Sequence, residues 1–167
     1  MLKMNKPQNI LEVGTAVGFS AILMAQYSED DTHITTIEKY EKRIPIAKEN
    51  FKKSGFEDKI TFLEGDATEI LHEMKDVEYD MIFMDAAKAQ YINFLPDIFR
   101  LLKSGGVLIT DNVLQDDTVI QSKYTVTRRD RTIHKRMREY LFELMRNEDL
   151  TTDILDVGDG VAVSVKK

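Results

Sequence analysis

Cysteine is absent from the chain. That excludes a disulfide framework, a thiolate metal site and a cysteine nucleophile, so a bound metal would have to be held by oxygen or histidine. It also suits an intracellular, cytoplasmic protein. Apolar runs are short: none approaches the roughly 18 residues of a membrane span. The opening MLKMNKPQNILEVG lacks the basic segment, apolar segment and small-residue cleavage site of a secretory leader, and no membrane partner is expected. Internal repeats, low-complexity stretches and linkers are missing as well. So is an excess of positive charge: the formal net charge is -6, which argues against wrapping nucleic acid with the whole surface but permits a local basic patch. At 167 residues the chain has the usual size of one domain, 1–167, and can bury a core.

What is present is an alternation. Ile10 to Val13 reads as a strand, followed by a glycine-containing turn and a helix over Phe19 to Tyr27. His33 to Ile37, ending at Glu38, is a second strand, and Ile44 to Ser54 a helix closed by Gly55. Lys59 to Leu63 and the nearly continuous apolar run Tyr79 to Met84 are further strands, separated by a short helix over Thr68 to Met74. Tyr91 to Leu102 is helical in pattern, Ser104-Gly105-Gly106 a turn and Val107 to Thr110 a fifth strand. Such alternation predicts an open parallel sheet with helices on both faces. A long helix follows over Arg131 to Asn147, and Thr152 to Val157 and Val161 to Val165 form two strands joined by Gly158-Asp159-Gly160.

Three polar features follow three successive strands, at the carboxyl ends where open sheets bind ligands. EVGTAVGFS, Glu12 to Ser20, places Gly14 and Gly18 where backbone can approach a ligand and a helix start offers amide donors. Glu38 can accept ribose hydroxyls, and Asp66 in Gly65-Asp66-Ala67 can receive an adenine amino group. Singly, each has an ordinary reading as a turn glycine or loop acid.

Together with MDAAK at 84 to 88, TDNVL at 110 to 114 and the terminal GDGVAVSVKK, these motifs resemble the class I S-adenosylmethionine-dependent methyltransferases. More narrowly, they resemble the metal-dependent O-methyltransferases related to the catechol and caffeoyl-CoA enzymes. Bacterial enzymes that methylate 5-hydroxyuridine at the tRNA wobble position look nearest within that group. The resemblance implies a Rossmann-like class I methyltransferase fold: an α/β, doubly wound, mostly parallel seven-stranded sheet with an antiparallel C-terminal hairpin. It implies S-adenosylmethionine contacts at Glu12, Gly14, Ser20, Glu38, Asp66, Ala67 and Asp85. It also implies helices before the first strand, so that this chain reads as N-terminally shortened, and a homodimer in the longer family form.

Two adjacent strands would end on carboxylates, Asp85 and Asp111, with the Asn112 amide beside them; strands about 4.8 Å apart bring such groups together, and three oxygens suit Mg²⁺. The expectation is that Asp85, Asp111 and Asn112 hold the metal. Lys88 matches the position of the family's general base and, with Asp85, forms the expected catalytic pair. The segment Ser122 to Tyr140 is rich in Lys and Arg. There Arg128, Arg129 and Arg131 are expected to bind tRNA phosphates, and Tyr124 to stack on a base. Transfer to tRNA 5-hydroxyuridine is therefore the favoured expectation. A small catechol or acyl-CoA phenol is the alternative acceptor, and a non-catalytic S-adenosylmethionine-binding protein the alternative of another class.

Overall fold

The computed structural model describes residues 1–75, 77–114 and 131–167. A four-residue helix, α1 (Leu2–Asn5), precedes β1 (Asn9–Val13), α2 (Phe19–Tyr27), β2 (His33–Glu38), α3 (Ile44–Ser54) and β3 (Ile60–Glu64). Next come α4 (Ala67–Glu73), β4 (Tyr79–Met84), α5 (Tyr91–Leu101), β5 (Leu102–Thr110), α6 (Arg131–Arg146), β6 (Leu150–Leu155) and β7 (Val161–Lys166). The seven strands lie in the order β3-β2-β1-β4-β5-β7-β6. β1 to β5 are mutually parallel, and β7 runs antiparallel to both β5 and β6. The expected Rossmann-like class I methyltransferase fold, closing hairpin included, is the one observed.

Successive strand residues point to opposite faces, and the two cores follow that rule. Leu11, Val13, Ile82, Met84 and Leu108 meet Tyr91, Phe94 and Ile98 of α5 and Met137, Tyr140 and Leu144 of α6. Ile10, Ile34, Met81 and Ile109 face the other way, onto Ala21 and Met24 of α2 and Ala47 and Phe51 of α3. A sheet covered on both faces explains the nearly unbroken apolar run of β4. Among the described residues no helix is long and apolar enough to cross a membrane.

One local expectation is revised. Ser104-Gly105-Gly106 does not separate helix from strand, because β5 already begins at Leu102. Between the pairs Tyr79↔Leu102 and Met81↔Val107 the register shifts, and β5 accommodates the excess residues as a bulge with Gly105 at φ 76°. Glycine in a strand often marks such a bulge.

Strand order matters for function at one place. The chain winds from β1 outward through β2 to β3, then returns to the other side of β1 for β4 and β5. The loops after β1 and β4 therefore diverge, leaving a crevice at the carboxyl ends of the strands, where open α/β sheets take ligands.

Candidate active site

Backbone hydrogen bonds hold the strand-end loops at one level. The amides of Gly14 and Thr15 both donate to the Ile37 carbonyl at 3.1 Å, Gly65 N to Glu38 O at 3.0 Å, Asp85 N to Val13 O at 3.0 Å and Asp111 N to Met84 O at 3.0 Å. Above them lies a cleft of about 690 Å³. Of the residues expected at the cofactor, Gly14, Glu38, Asp66, Ala67 and Asp85 line it.

Glu38 is the most heavily engaged of these. Its Oε1 accepts from the amides of Lys39 (3.0 Å) and Tyr40 (2.8 Å), and its Oε2 from Ala16 N (2.8 Å). The Ala16 bond ties the glycine turn after β1 to the end of β2, and Ala16 takes a left-handed φ of 49°, uncommon for a residue with a side chain. A carboxylate has about four acceptor positions, so one remains on Oε2 for an incoming donor. Asp66 caps α4, its Oδ1 accepting from Thr68 N at 2.8 Å, while Oδ2 receives Lys39 Nζ at 3.1 Å. The Thr68 bonds first, then Lys39, hold its carboxyl below the usual range.

Gly14 and Gly18 have packing reasons as well. Gly14 has φ 107°, and a Cβ there would stand 2.1 Å from the Asp85 carbonyl oxygen; Gly18, at φ 87°, would carry one 2.6 Å from the Phe51 ring. Only glycine suits both the angle and the space.

Glu12 and Ser20 do not line the cleft. Glu12 is fully buried beneath the turn, where the hydroxyls of Ser20 and Thr36 donate to its two carboxylate oxygens, and Thr36 in turn shares a 2.6 Å bond with Thr15. Burial pushes the Glu12 carboxyl up to about 7, with Asp85 and Glu38 adding to the rise and the two hydroxyls opposing it. The result is a polar clasp tying β1, β2 and the start of α2 together under the crevice.

Asp85 and Asp111 do come together at the ends of β4 and β5, whose register pairs Met84 with Thr110. Although Asp85 is exposed as a residue, its carboxyl is partly withdrawn from water. That desolvation and then the Asp111 charge push it up, while a hydrogen bond from the Asn112 side chain and the charge of Lys88 pull it back. Lys88, half-buried, opens a single 3-10 turn over Lys88–Gln90 that leads into α5.

The expected divalent-metal centre requires correction. Among the described residues no group of three or more His, Cys, Asp or Glu side chains is placed to hold a metal ion. The trio named from the sequence comes down to two carboxylates and an amide. The Asn112 side chain donates to Asp85, and the Asn112 backbone N–H donates to one Asp111 oxygen at 2.8 Å. With no third acidic or imidazole side chain beside Asp85 and Asp111 among the described residues, Mg²⁺ and the metal roles of Asp85, Asp111 and Asn112 are withdrawn.

The basic segment changes meaning too. Tyr124, Arg128 and Arg129 lie outside the described residues. Arg131 is the first residue of α6 and exposed. Further along the helix, Lys135 pairs with Glu139 at 3.6 Å, and Arg136 donates to the Ala89 carbonyl at 2.8 Å. Two cations of the basic segment, Lys135 and Arg136, thus have partners within the chain.

Several cleft residues had no signal in the sequence. Lys39, Tyr40 and Arg43 form its outer wall, Arg43 lying 5.5 Å from the centre of the Tyr40 ring, and Gln90 and Phe94 close the side toward α5. Lys39 and Tyr40 directly follow the Glu38 strand end, and Arg43 comes three residues after Tyr40.

Residues 1–167 match the model of a family described as O-methyltransferase. A caffeoyl-CoA O-methyltransferase of Medicago sativa is 34% identical over 179 residues, covering 98% of this chain and 68% of that protein. The tapetum-specific methyltransferase 1 of Arabidopsis thaliana is 30% identical over 166 residues, covering 98% and 71%. Among solved structures, a Staphylococcus aureus chain provisionally assigned as a caffeoyl-CoA O-methyltransferase has a TM-score of 0.92 at 40% identity, covering 99% of this chain and 79% of that one. A Bacillus cereus O-methyltransferase in complex with SAH has a TM-score of 0.89 at 26% identity, with 99% and 77% covered. The tRNA acceptor expected from the basic segment is overturned by the relatives named for caffeoyl-CoA, and tRNA is withdrawn as a partner.

Proposed function

Because the chain belongs to the O-methyltransferase family, we propose that it transfers a methyl group from S-adenosylmethionine to the hydroxyl of a small phenolic substrate, a catechol or a phenolic acyl-CoA thioester. The reaction class comes with the family, and the donor with its Bacillus cereus member solved in complex with SAH. The acceptor follows from the relatives named for caffeoyl-CoA. Residues 1–167 are taken as one methyltransferase domain. The observation that carries the reading is the crevice at the turn of strand order, bounded by Gly14, Glu38, Asp66 and Asp85.

These residues fit the cofactor. Glu38 retains acceptor capacity after its amide bonds and is suited to ribose hydroxyls. Asp66 and Ala67 at the start of α4 suit the adenine edge, and the tight Gly14 turn gives close backbone approach to the amino-acid end. Glu12 and Ser20 hold that turn from beneath. When bound, the cofactor supplies an electrophilic methyl group whose bond to sulfur breaks, the electron pair staying on sulfur, as the acceptor oxygen bonds to carbon.

The acceptor hydroxyl must lose its proton for that oxygen to become a good nucleophile. Lys88 Nζ is the proposed acceptor of that proton, and Asp85, whose charge already interacts with Lys88, compensates the ammonium that results. Much of the remaining acceleration is positional.

The test is methyl transfer by the purified chain, with S-adenosylmethionine and either catechol or caffeoyl-CoA, followed by mass spectrometry of the acceptor. A methylated phenol supports the reading. Cofactor binding by calorimetry with no methylation of either phenol contradicts the acceptor class, and absence of cofactor binding contradicts the site itself.

A further inference from the structure

α6 does more than cover the sheet. Arg136 and Tyr140 are four residues apart, so they occupy one face of the helix, and that face lies against the turn carrying Lys88. Arg136 Nη1 donates to the carbonyl of Ala89 at 2.8 Å, across 47 residues of sequence. One helical turn later the Tyr140 ring meets Tyr91 edge to face, with centroids 5.6 Å apart, and Tyr91 is the residue that ends the Lys88–Gln90 turn and begins α5. The Tyr140 hydroxyl bonds Thr110 Oγ1 at 2.6 Å, next to Asp111, and the Tyr91 hydroxyl reaches the Asp111 carbonyl at 3.4 Å. Both tyrosines are fully buried.

A 3-10 turn of three residues has little internal rigidity, since its hydrogen bonds are few and poorly aligned. The Ala89 carbonyl is therefore held by a guanidinium from another element. We propose that Arg136 is a positioning residue for the methyl-transfer reaction, pinning the Ala89 carbonyl to α6 so that the neighbouring Lys88 is held toward the acceptor. This rests on the reading of Lys88 as the proton acceptor. It gives Arg136 a role inside the fold, in place of a place on a phosphate-binding surface.

The experiment compares Arg136→Met, Arg136→Lys and Lys88→Met in the full chain. It measures kcat and KM for the phenol, cofactor affinity by calorimetry, and hydrogen exchange of the amides of residues 88–91. A misplacement of about 1 Å costs on the order of a hundredfold in rate. Arg136→Met should therefore lose about tenfold to a hundredfold in kcat with cofactor affinity unchanged, and exchange should quicken in the turn but not across α6. Arg136→Lys, which keeps one donor, should recover part of the rate. Wild-type kcat and turn protection in Arg136→Met, alongside an inactive Lys88→Met, would overturn the positioning role and leave Lys88 intact. Full activity of Lys88→Met would overturn the Lys88 reading and this inference with it. If Arg136→Met fails to fold, the same outcomes are read from Arg136→Gln, and unaltered turn exchange in that variant counts against the proposal.

Discussion

Gly14 approaches Asp85 so closely that a Cβ on Gly14 would lie 2.1 Å from the Asp85 carbonyl oxygen. The turn proposed to receive the methyl donor thus abuts the residue proposed to sit beside the chemistry, with no room for a side chain between them. Asp85 N also donates to Val13 O at 3.0 Å, locking β4 to the residue before Gly14.

Gly14→Ala should therefore damage stability and binding together. Overpacking typically costs about 1–3 kcal/mol, and a side chain forced to this positive φ adds strain of similar size. Thermal unfolding should show a clearly lowered Tm, and calorimetry a weakened affinity for S-adenosylhomocysteine.

Glu38→Gln should separate cofactor recognition from the rest of the fold. The replacement retains one oxygen acceptor and turns an amide group toward backbone donors that now meet Oε1 or Oε2. Hydrogen bonds to a charged group are worth about 1.5–3 kcal/mol. The expected result is a cofactor Kd raised by about tenfold or more, with the circular dichroism spectrum unchanged.

Glu12 predicts an inverted pH dependence of stability. Its carboxyl is raised from an ordinary 4.5 to about 7 in the folded chain. Between those values the native state holds a proton that the unfolded state has released, so unfolding free energy falls as pH rises. The contribution is complete below 4.5 and lost by the time pH has passed about 7. Glu12→Gln, which mimics the protonated form, should match wild type in denaturant titrations near pH 4.5 and exceed it at pH 8, by a few kcal/mol.

Lys88→Met should lower kcat by about a hundredfold to ten-thousandfold, the usual contribution of a general base, while leaving cofactor affinity within a factor of about two. Stopped assays at saturating donor and acceptor check it.

Much of this site was legible in the chain. Short apolar and β-branched runs and glycine punctuation placed β1, β2 and β4, and with them the strand-end residues Gly14, Glu38 and Asp85, because a parallel sheet puts its loops where the strands stop. Residues whose roles depend on what folds over them were not legible. Glu12 reads, by the family resemblance, as a cofactor contact, yet it is fully buried beneath the turn. Arg136 reads as one cation among many, yet its partner Ala89 is 47 residues away. Asn112 reads as an oxygen donor, while in the fold its side chain gives a hydrogen bond to Asp85. Side-chain direction and long-range partners are set by tertiary packing, which local spacing does not encode.

The most direct test is a crystal structure of the chain with S-adenosylhomocysteine bound. The account predicts the ribose hydroxyls on Glu38, the adenine beside Asp66 and Ala67, and the sulfur opening toward the acceptor space between Asp85 and Lys88. A nucleoside bound elsewhere on the sheet, or bound here with its sulfur facing away from Lys88, would contradict it.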